Sequence, residues 1–528
     1  MKLPLAAPEH FNFATDVFDR WARERPDATG LWCVDARAGT EQRFSFRQLS
    51  SLSCQAANFL HASGVGRGDR VLVMLPRVPA WWIATLGLIR LGAVPVPATL
   101  LLAPREVAYR LETAHVRGVV TNGEGVAKLG SFDGLRFLVE AAGAAGIDFN
   151  ACLAAAADDF CAEPTRADDP AMIFFTSATT GDPKMVLHTQ ASYGLGHRLT
   201  GELWLDLKPG DVHWNISDLG WGKAAWSSFF GPWHMGACVF ALDQNSKFDP
   251  VAVLNTLARF PITTWCAPPT ALRLIVREDL SRWRFPHLRH CVTAGEPLNP
   301  EVLRLWKAAT GLTLHEAYGQ TETVALIGNF RRVNGEVRPG SMGKASPGFE
   351  IALLDEALNE VPAGQEGEIA VRVKPRRPVG LFQEYWQNAA ETADRFRGDW
   401  YLTNDRAVRD ADGYYWFIGR QDDVIKSSGY RIGPFEVESA LLEHPAVLDV
   451  AVVGKPDEVR GQIVKAFVIL RAGFAPGELL QHELQSHCKQ TVAPYKYPRE
   501  VEFVAELPKT TSGKTRRFEL RRRGAGAA

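Results

Sequence analysis

Net charge is the first thing this 528-residue sequence lacks, with 59 Lys and Arg against 60 Asp and Glu. Nucleic acid and anionic membranes are recognised by clustered positive charge, so the overall balance gives no electrostatic reason to approach either. The eight cysteines, at 33, 54, 152, 161, 238, 266, 291 and 488, include no C-x-x-C pair and no nearby histidine spacing that would complete a zinc site. They read as buried thiols of a reducing compartment, and a cytoplasmic chain is expected. Long apolar runs are missing too. Residues 81–102 are interrupted by Arg90 and prolines, and residues 224–242 by Pro232, His234 and two glycines. Neither is a clean span of about 20 apolar residues, so no integral membrane association is expected. The N-terminal stretch turns acidic and amphipathic after one early lysine, which argues against an export signal. No repeat with a period of about 20 to 50 residues is visible, which sets a solenoid aside.

What is present is enough material for more than one core. The composition, 46% hydrophobic and 23% charged, is that of packed protein rather than disorder, collagen or coiled coil. Helical and strand patterns alternate from about Phe44: a helical stretch at 45–60, a strand at 70–75, a helix at 81–91, then strands at 118–121, 171–176 and 290–293. Short apolar strands separated by helices predict α/β layering with largely parallel sheets. Near Gly348 the texture becomes β-rich, with strands at 350–355, 367–372 and 414–418. After about Asp422 a helix (434–443), two strands (447–453, 463–470) and a helix (477–489) predict a compact α+β unit. The expected domains are therefore 1–421 and 422–528.

The most informative segment is FFTSATTGDPK at 174–184. An apolar strand runs into hydroxyls, a glycine and a lysine, a composition whose N–H groups, hydroxyls and ammonium can surround phosphate. It is not a Walker A loop, because Pro183 and Met185 flank the lysine. An ordinary polar turn would have the same composition.

This segment resembles the phosphate loop of the adenylate-forming superfamily. Four further segments resemble that superfamily in the same order: AGEP at 294–297, EAYGQTET at 316–323, YLTND at 401–405 with GRQDD at 419–423, and PKTTSGK at 508–514. The stretches SDLGWGKAAWSS at 217–228, PKMV at 183–186, SSGYRIGP at 427–434 and APYKYP at 493–498 are similar to the medium-chain acyl-CoA synthetases. The chain departs from the usual pattern at Ala178 and Asn404, where glycine is usual.

The resemblance implies an AMP-forming acid–thiol ligase: a carboxylic acid attacks ATP to give acyl-AMP and pyrophosphate, and coenzyme A then gives acyl-CoA and AMP. It assigns the phosphates to Thr176, Ser177, Ala178, Thr179, Thr180, Gly181, Asp182, Pro183 and Lys184. Mg²⁺ goes to Glu322, and the phosphate and acyl groups to Thr321. Adenine falls to Gly295, Glu296, Pro297, Glu316, Ala317 and Tyr318, with Gly319 and Gln320 beside them. Asp405 has two oxygens for the ribose hydroxyls, assisted by Arg420, while Arg431 offers a planar fork near phosphate. Lys514 would bridge the attacking carboxylate and the α-phosphate. Arg516, Arg517, Arg521, Arg522 and Arg523 follow it, and by themselves would read as a solvated basic tail.

A second step needs a second environment, and the resemblance supplies one by rotation of a mobile C-terminal unit about Asp422. Ser428, Gly429 and Tyr430 then form the coenzyme A face, with Arg460 and Tyr497 for its phosphate and adenine. Gly319 stands where acetate-specific relatives have Trp and, with Trp221, is expected to leave room for a medium-chain, branched or aromatic acyl group. Two alternatives stay open: an adenylate-forming enzyme with an acceptor other than coenzyme A, and a non-catalytic nucleotide-binding relative.

Overall fold

Runs of apolar and β-branched residues bounded by glycine, proline and polar turns form the strands of five sheets in the computed structural model, which describes residues 5–141, 143–161, 164–176, 183–244, 248–428, 430–510 and 514–524. Ser177, Ala178, Thr179, Thr180, Gly181 and Asp182 of the phosphate loop, and Gly429, lie outside the described residues.

The largest sheet has nine strands, in spatial order Lys344–Ala345, Ile327–Gly328, Leu314–Tyr318, His290–Ala294, Thr264–Cys266, Val212–Asn215, Cys238–Asp243, Thr29–Asp35 and Thr40–Ser45. The six strands from Thr29–Asp35 through Leu314–Tyr318 pair parallel with one another, and the margins are antiparallel. A second, wholly parallel sheet contains Val94–Pro97, Arg70–Met74, Gly118–Thr121, Leu135–Leu138 and Ile147–Asp148. The expected α/β layering is therefore present. The strands at Thr29–Asp35 and Thr40–Ser45 escaped the sequence reading, because the second is an exposed margin without an apolar alternation.

The two stretches that called for a membrane check are interior elements of this layer. Helix Pro79–Leu91 is buried almost all round, so its apolar character reflects protein neighbours on every side. Arg90 within it is buried but paired: Nη1 and Nη2 reach Asp19 at 2.8 and 2.7 Å, and Nε reaches Ser53 Oγ at 3.0 Å. Residues 224–242 become short helical turns and the buried strand Cys238–Asp243. Among the described residues no helix is long and apolar enough to cross a membrane.

The β-rich region after Gly348 takes the form of a five-stranded antiparallel sheet: Ile351–Leu354, Glu366–Arg372, Trp400–Arg409, Phe396–Arg397 and Tyr415–Arg420. Its outer strands are joined by the Tyr415 hydroxyl, which donates to the Ile351 carbonyl at 3.0 Å. A three-stranded sheet, Glu384–Tyr385, Met185–Thr189 and Pro170–Phe175, carries the two ends of the phosphate loop.

The last sheet contains Tyr430–Ile432, Ile425–Ser427, Gly461–Leu470, Val447–Asp457 and Glu500–Phe503, with helices Pro434–Leu442 and Glu478–Thr491 over its apolar core. The terminal arginines do not form a solvated tail. Helix Arg517–Gly524 pins Arg517 to both oxygens of Glu438 at 2.7 and 2.8 Å, Arg521 to Asp423 at 2.6 Å and Arg523 to Glu502 at 2.5 Å.

Helices Phe46–Ala62 and Pro79–Leu91 approach closely at Gly87, where an added Cβ would lie 2.6 Å from Ala56 Cβ and 3.1 Å from the Ser53 carbonyl. Gly87→Val should therefore lower stability by about 1–3 kcal/mol through overpacking, read as a lower urea midpoint with an unchanged slope.

Candidate active site

The nine-stranded sheet and the antiparallel sheet meet at one buried carboxylate. Strand Leu314–Tyr318 delivers Tyr318 and, just beyond it, Gln320, and strand Trp400–Arg409 delivers Asp405. Tyr318 Oη donates to Asp405 Oδ2 at 2.7 Å, and Gln320 Nε2 donates to the same oxygen at 2.6 Å and to the Thr403 carbonyl at 2.8 Å. Tyr401 Oη then donates to Gln320 Oε1 at 2.8 Å, which fixes the amide orientation. Arg420 is the cross-strand partner of Asp405. Burial raises the Asp405 pKa, against the opposing pull of Arg420, Tyr318, Gln320 and Lys514. Burial alone would lower that of Arg420, but Asp405 and Asp422 reverse the shift and raise it. Asn404 occupies the left-handed region at φ +63°. That conformation accounts for the glycine usual there and for the tolerance of asparagine, the side chain best suited to replace it.

The loop after this strand turns Thr321 and Glu322 toward the cleft. Tyr385 Oη donates to Glu322 Oε1 at 2.7 Å. Gly222 packs against Thr321, where an added Cβ would lie 3.4 Å from Thr321 Cγ2, so the chain bearing Trp221 adjoins this loop. Gly295 follows strand His290–Ala294 at φ +105°, a conformation open to glycine, and leads into the half-buried Glu296 and Pro297. Lys514 sits within the electrostatic reach of Glu296, Arg420, Asp405 and Glu322. Desolvation lowers its pKa, against the favourable charges of Glu296, Asp405 and Glu322 and with the added repulsion of Arg420.

Several predicted residues are placed differently from one another. Thr176 N donates to the Lys184 carbonyl at 2.9 Å, which closes the base of the phosphate loop. Lys184 Nζ pairs with Glu391 at 2.5 Å, and Arg395 shares that carboxylate at 3.0 Å. Arg431 points to Glu356 at 3.0 Å and lies 3.8 Å from Glu366, so its guanidinium is held by those carboxylates beside the antiparallel sheet. Ser428 and Arg460 are together, with Arg460 Nη1 donating to Ser428 Oγ at 3.2 Å. Tyr430 stacks on Tyr495, ring centroids 4.2 Å apart, whereas Tyr497 faces Lys489 and Arg499. Asp422 Oδ1 accepts from Arg420 Nε at 3.2 Å. Gly319 leaves less room than its lack of a side chain implies. An added Cβ would lie 2.4 Å from the Trp226 ring and 2.6 Å from the Val324 carbonyl, so Trp226 already fills the space over it.

Sequence reasoning missed Lys223, Tyr385, Glu391 and Arg395. Lys223 Nζ donates to the Ala294 carbonyl at 2.9 Å, and burial lowers its pKa despite Cys266 and Glu296 nearby. A lysine inside the apolar run 219–230 was the available signal for it. No local pattern marks the other three, which reach the site because strand Glu384–Tyr385 pairs with Val186 and Leu187.

Known proteins resemble this chain in sequence and fold. The AMP-binding enzyme family model matches residues 18–386, and the AMP-binding enzyme C-terminal domain model matches residues 436–514. The chain is 47% identical over 531 aligned positions to the acyl-coenzyme A synthetase ACSM3, mitochondrial, of Rattus norvegicus, covering 98% of this chain and 91% of the relative. It is 48% identical to the acyl-coenzyme A synthetase ACSM4, mitochondrial, of Homo sapiens, covering 97% and 90%. Among solved structures, the anthranilate CoA ligase AuaEII in complex with anthranoyl-AMP superposes with a TM-score of 0.90 at 31% identity, over 98% of each chain. A benzoate CoA ligase from Burkholderia xenovorans LB400 gives 0.85 at 30% identity, over 97% of this chain and all of that one.

Glu316 supplies a pH test of the site's packing. Its carboxyl is buried, accepts from Leu298 N at 3.3 Å, and is pushed up to about 8 by desolvation. A carboxyl whose folded pKa exceeds its unfolded value contributes stability below the unfolded pKa, about 4.5, and loses it as pH rises through the folded one. Glu316→Gln, which keeps an acceptor and removes the titration, should thus gain melting temperature relative to the parent as pH rises from 5 to about 9.

Proposed function

The chain belongs to the AMP-binding enzyme family, and from that premise we propose that it is an ATP-dependent acyl-CoA synthetase, joining a carboxylic acid to coenzyme A through an acyl-adenylate. The observation that carries this reading is the convergence of Tyr318, Gln320, Arg420 and Lys514 around the buried Asp405 carboxylate. Two acceptor oxygens held in place suit a pair of ribose hydroxyls. The lysine and arginine nearby suit the crowded anions of a carboxylate approaching a phosphate. Thr176 to Lys184 hold the leaving pyrophosphate, and Glu296, Pro297 and Tyr318 border the adenine. Lys184 exchanges its contact with Glu391 for phosphate when ATP binds.

Glu322 has one oxygen engaged by Tyr385, and its other oxygen suits a magnesium ion that keeps most of its waters. When bound, Mg²⁺ would neutralise phosphate charge. The protein's own part is to hold Glu322 and the cations in register and to bring the acid to the α-phosphate. For the second step the unit 422–528 rotates about Asp422, withdraws Lys514 and brings Ser428, Gly429, Tyr430 and Arg460 to the cleft. The stacked Tyr430–Tyr495 pair supports an aromatic surface for the coenzyme's adenine; it takes the place assigned to Tyr497.

The acid is of medium-chain, branched or aromatic type, with Trp221 and Trp226 as the walls. Since Trp226 occupies the space over Gly319, the length limit is set by that indole. A cytoplasmic setting is proposed on the eight free cysteines, most of them buried. The curated relatives carry mitochondrial names, so localisation in cells by a fusion at either end decides between the two compartments.

Lys514→Ala should reduce acid-dependent ATP–pyrophosphate exchange by roughly 10²–10³-fold while retaining thioester formation from supplied acyl-adenylate; unchanged exchange refutes the assignment. Asp422→Pro should spare exchange and impair thioester formation, and equal effects on both would exclude rotation there. Trp226→Ala should move the preferred acid to longer or wider members of a panel from acetate to decanoate with benzoates, read as AMP release with coenzyme A.

A further inference from the structure

Two buried donors converge on a single backbone oxygen at the edge of the cleft. His188 Nε2 lies 2.8 Å from the Thr321 carbonyl, and Tyr193 Oη donates to the same oxygen at 2.5 Å. Their rings are stacked, with centroids 3.3 Å apart and planes 23° from parallel. Both residues follow directly on the phosphate loop: His188 is in strand Met185–Thr189 and Tyr193 in helix Gln190–Gly194. Reciprocal hydrogen bonds between Thr189 and Ser192 fix the start of that helix.

A carbonyl only accepts, so His188 carries its proton on Nε2, and Nδ1 faces Ser192 Oγ at 3.1 Å. Burial holds the His188 pKa down at about 3, so the ring is neutral at physiological pH. Tyr193 has one proton, which goes to Thr321, and its oxygen accepts from Trp226 Nε1 at 3.4 Å. Trp226 is the indole that fills the space over Gly319. On the far side of the loop, Phe382 N donates to the Glu322 carbonyl at 2.8 Å.

A trans peptide is planar and directs its N–H opposite to its C=O. With the Thr321 oxygen held inward by His188 and Tyr193, the Glu322 N–H points away from that buried pair, toward the half-exposed side of the loop. We propose that His188 and Tyr193 are positioning residues for adenylation. By fixing the Thr321 carbonyl they aim the Glu322 N–H, the Glu322 carboxylate and the Thr321 hydroxyl at the phosphate chain. They also connect this loop mechanically to the strand that leaves the phosphate loop and, through Trp226, to the acyl wall. The inference rests on the acyl-CoA synthetase reading and deepens it.

The test compares Tyr193→Phe, which keeps the ring and removes the donor, with His188→Phe, which does the same for the imidazole, and His188→Gln, which restores an N–H of similar reach. Acid-dependent ATP–pyrophosphate exchange is measured over a Mg²⁺ titration, beside thioester formation from supplied acyl-adenylate. Tyr193→Phe and His188→Phe should each lower exchange about tenfold, as for one lost hydrogen bond, and raise the Mg²⁺ midpoint. Thioester formation should stay within about twofold, and His188→Gln should recover most of the exchange. Unaltered exchange, or equal losses in both half-reactions with a fixed Mg²⁺ midpoint, would overturn the proposal. Absence of acid-dependent exchange in the parent protein would instead defeat the underlying reading. Should His188→Phe not fold, Tyr193→Phe alone decides by the same two measurements.

Discussion

A carboxylate taken out of water must be surrounded by donors, and in this molecule the burial of Asp405 is the constraint around which the cleft is organised. Its partners come from two sheets: Tyr318 and Gln320 from the end of one, and Arg420 from the neighbouring strand of the other. The strand that carries it is irregular on both sides. Pairing shifts register between Glu368 and Ala370 on one flank and between Arg406 and Ala407 on the other, and Asn404 turns left-handed in between. A regular strand would alternate its side chains between the faces of its own sheet. The irregularity re-aims one of them toward a different sheet. Removing either neutral donor, Tyr318 or Gln320, would leave the buried oxygen short of one hydrogen bond, which costs about 1–3 kcal/mol.

Charge elsewhere in the cleft follows the same logic. Lys223 and Lys514 both have lowered pKa values, both lie near Glu296, and each repels the other. Arg273 also approaches Glu296, at 3.5 Å. One carboxylate thus tempers three cations, keeping a concentrated positive field inside a protein whose overall charge is close to zero. Buried His188, His197, His213, His234 and His290 all have depressed pKa values. They fill space without adding to that field.

The alternation of short apolar strands with helices was legible in the sequence because it is a local property: helix 79–91, the strands at 118–121 and 290–294, and the C-terminal helices fall close to where their periodicity puts them. The motif residues Tyr318, Gln320, Asp405 and Arg420 were legible for another reason. They lie in segments that resemble the adenylate-forming superfamily, and the fold brings them together, Tyr318 and Arg420 from strand ends and Asp405 from within strand Trp400–Arg409. What the sequence hid depends on packing between distant segments. The space above Gly319 is filled by an indole 93 positions earlier in the chain, a fact no local pattern carries. Likewise Tyr385 and Glu391 arrive through a two-residue strand too short to show a period. Arg431 and Tyr497 have the right chemistry for their expected roles but are drawn to nearer partners, Glu356 for one and Lys489 and Arg499 for the other.

Helix Arg517–Gly524 gives these separations a mechanical sense. Arg521 holds Asp423 and reaches the Asp422 carbonyl at 3.4 Å, while Arg517 holds Glu438 and lies 3.8 Å from Asp423. A segment about 95 positions downstream is thereby tied to the turn that follows strand Tyr415–Arg420, with Lys514 only three residues before Arg517. A fused partner or a clipped turn that displaced this helix would therefore strip Asp423 and Glu438 of their guanidinium partners at once, a disturbance at the far end of the chain registered just after strand Tyr415–Arg420.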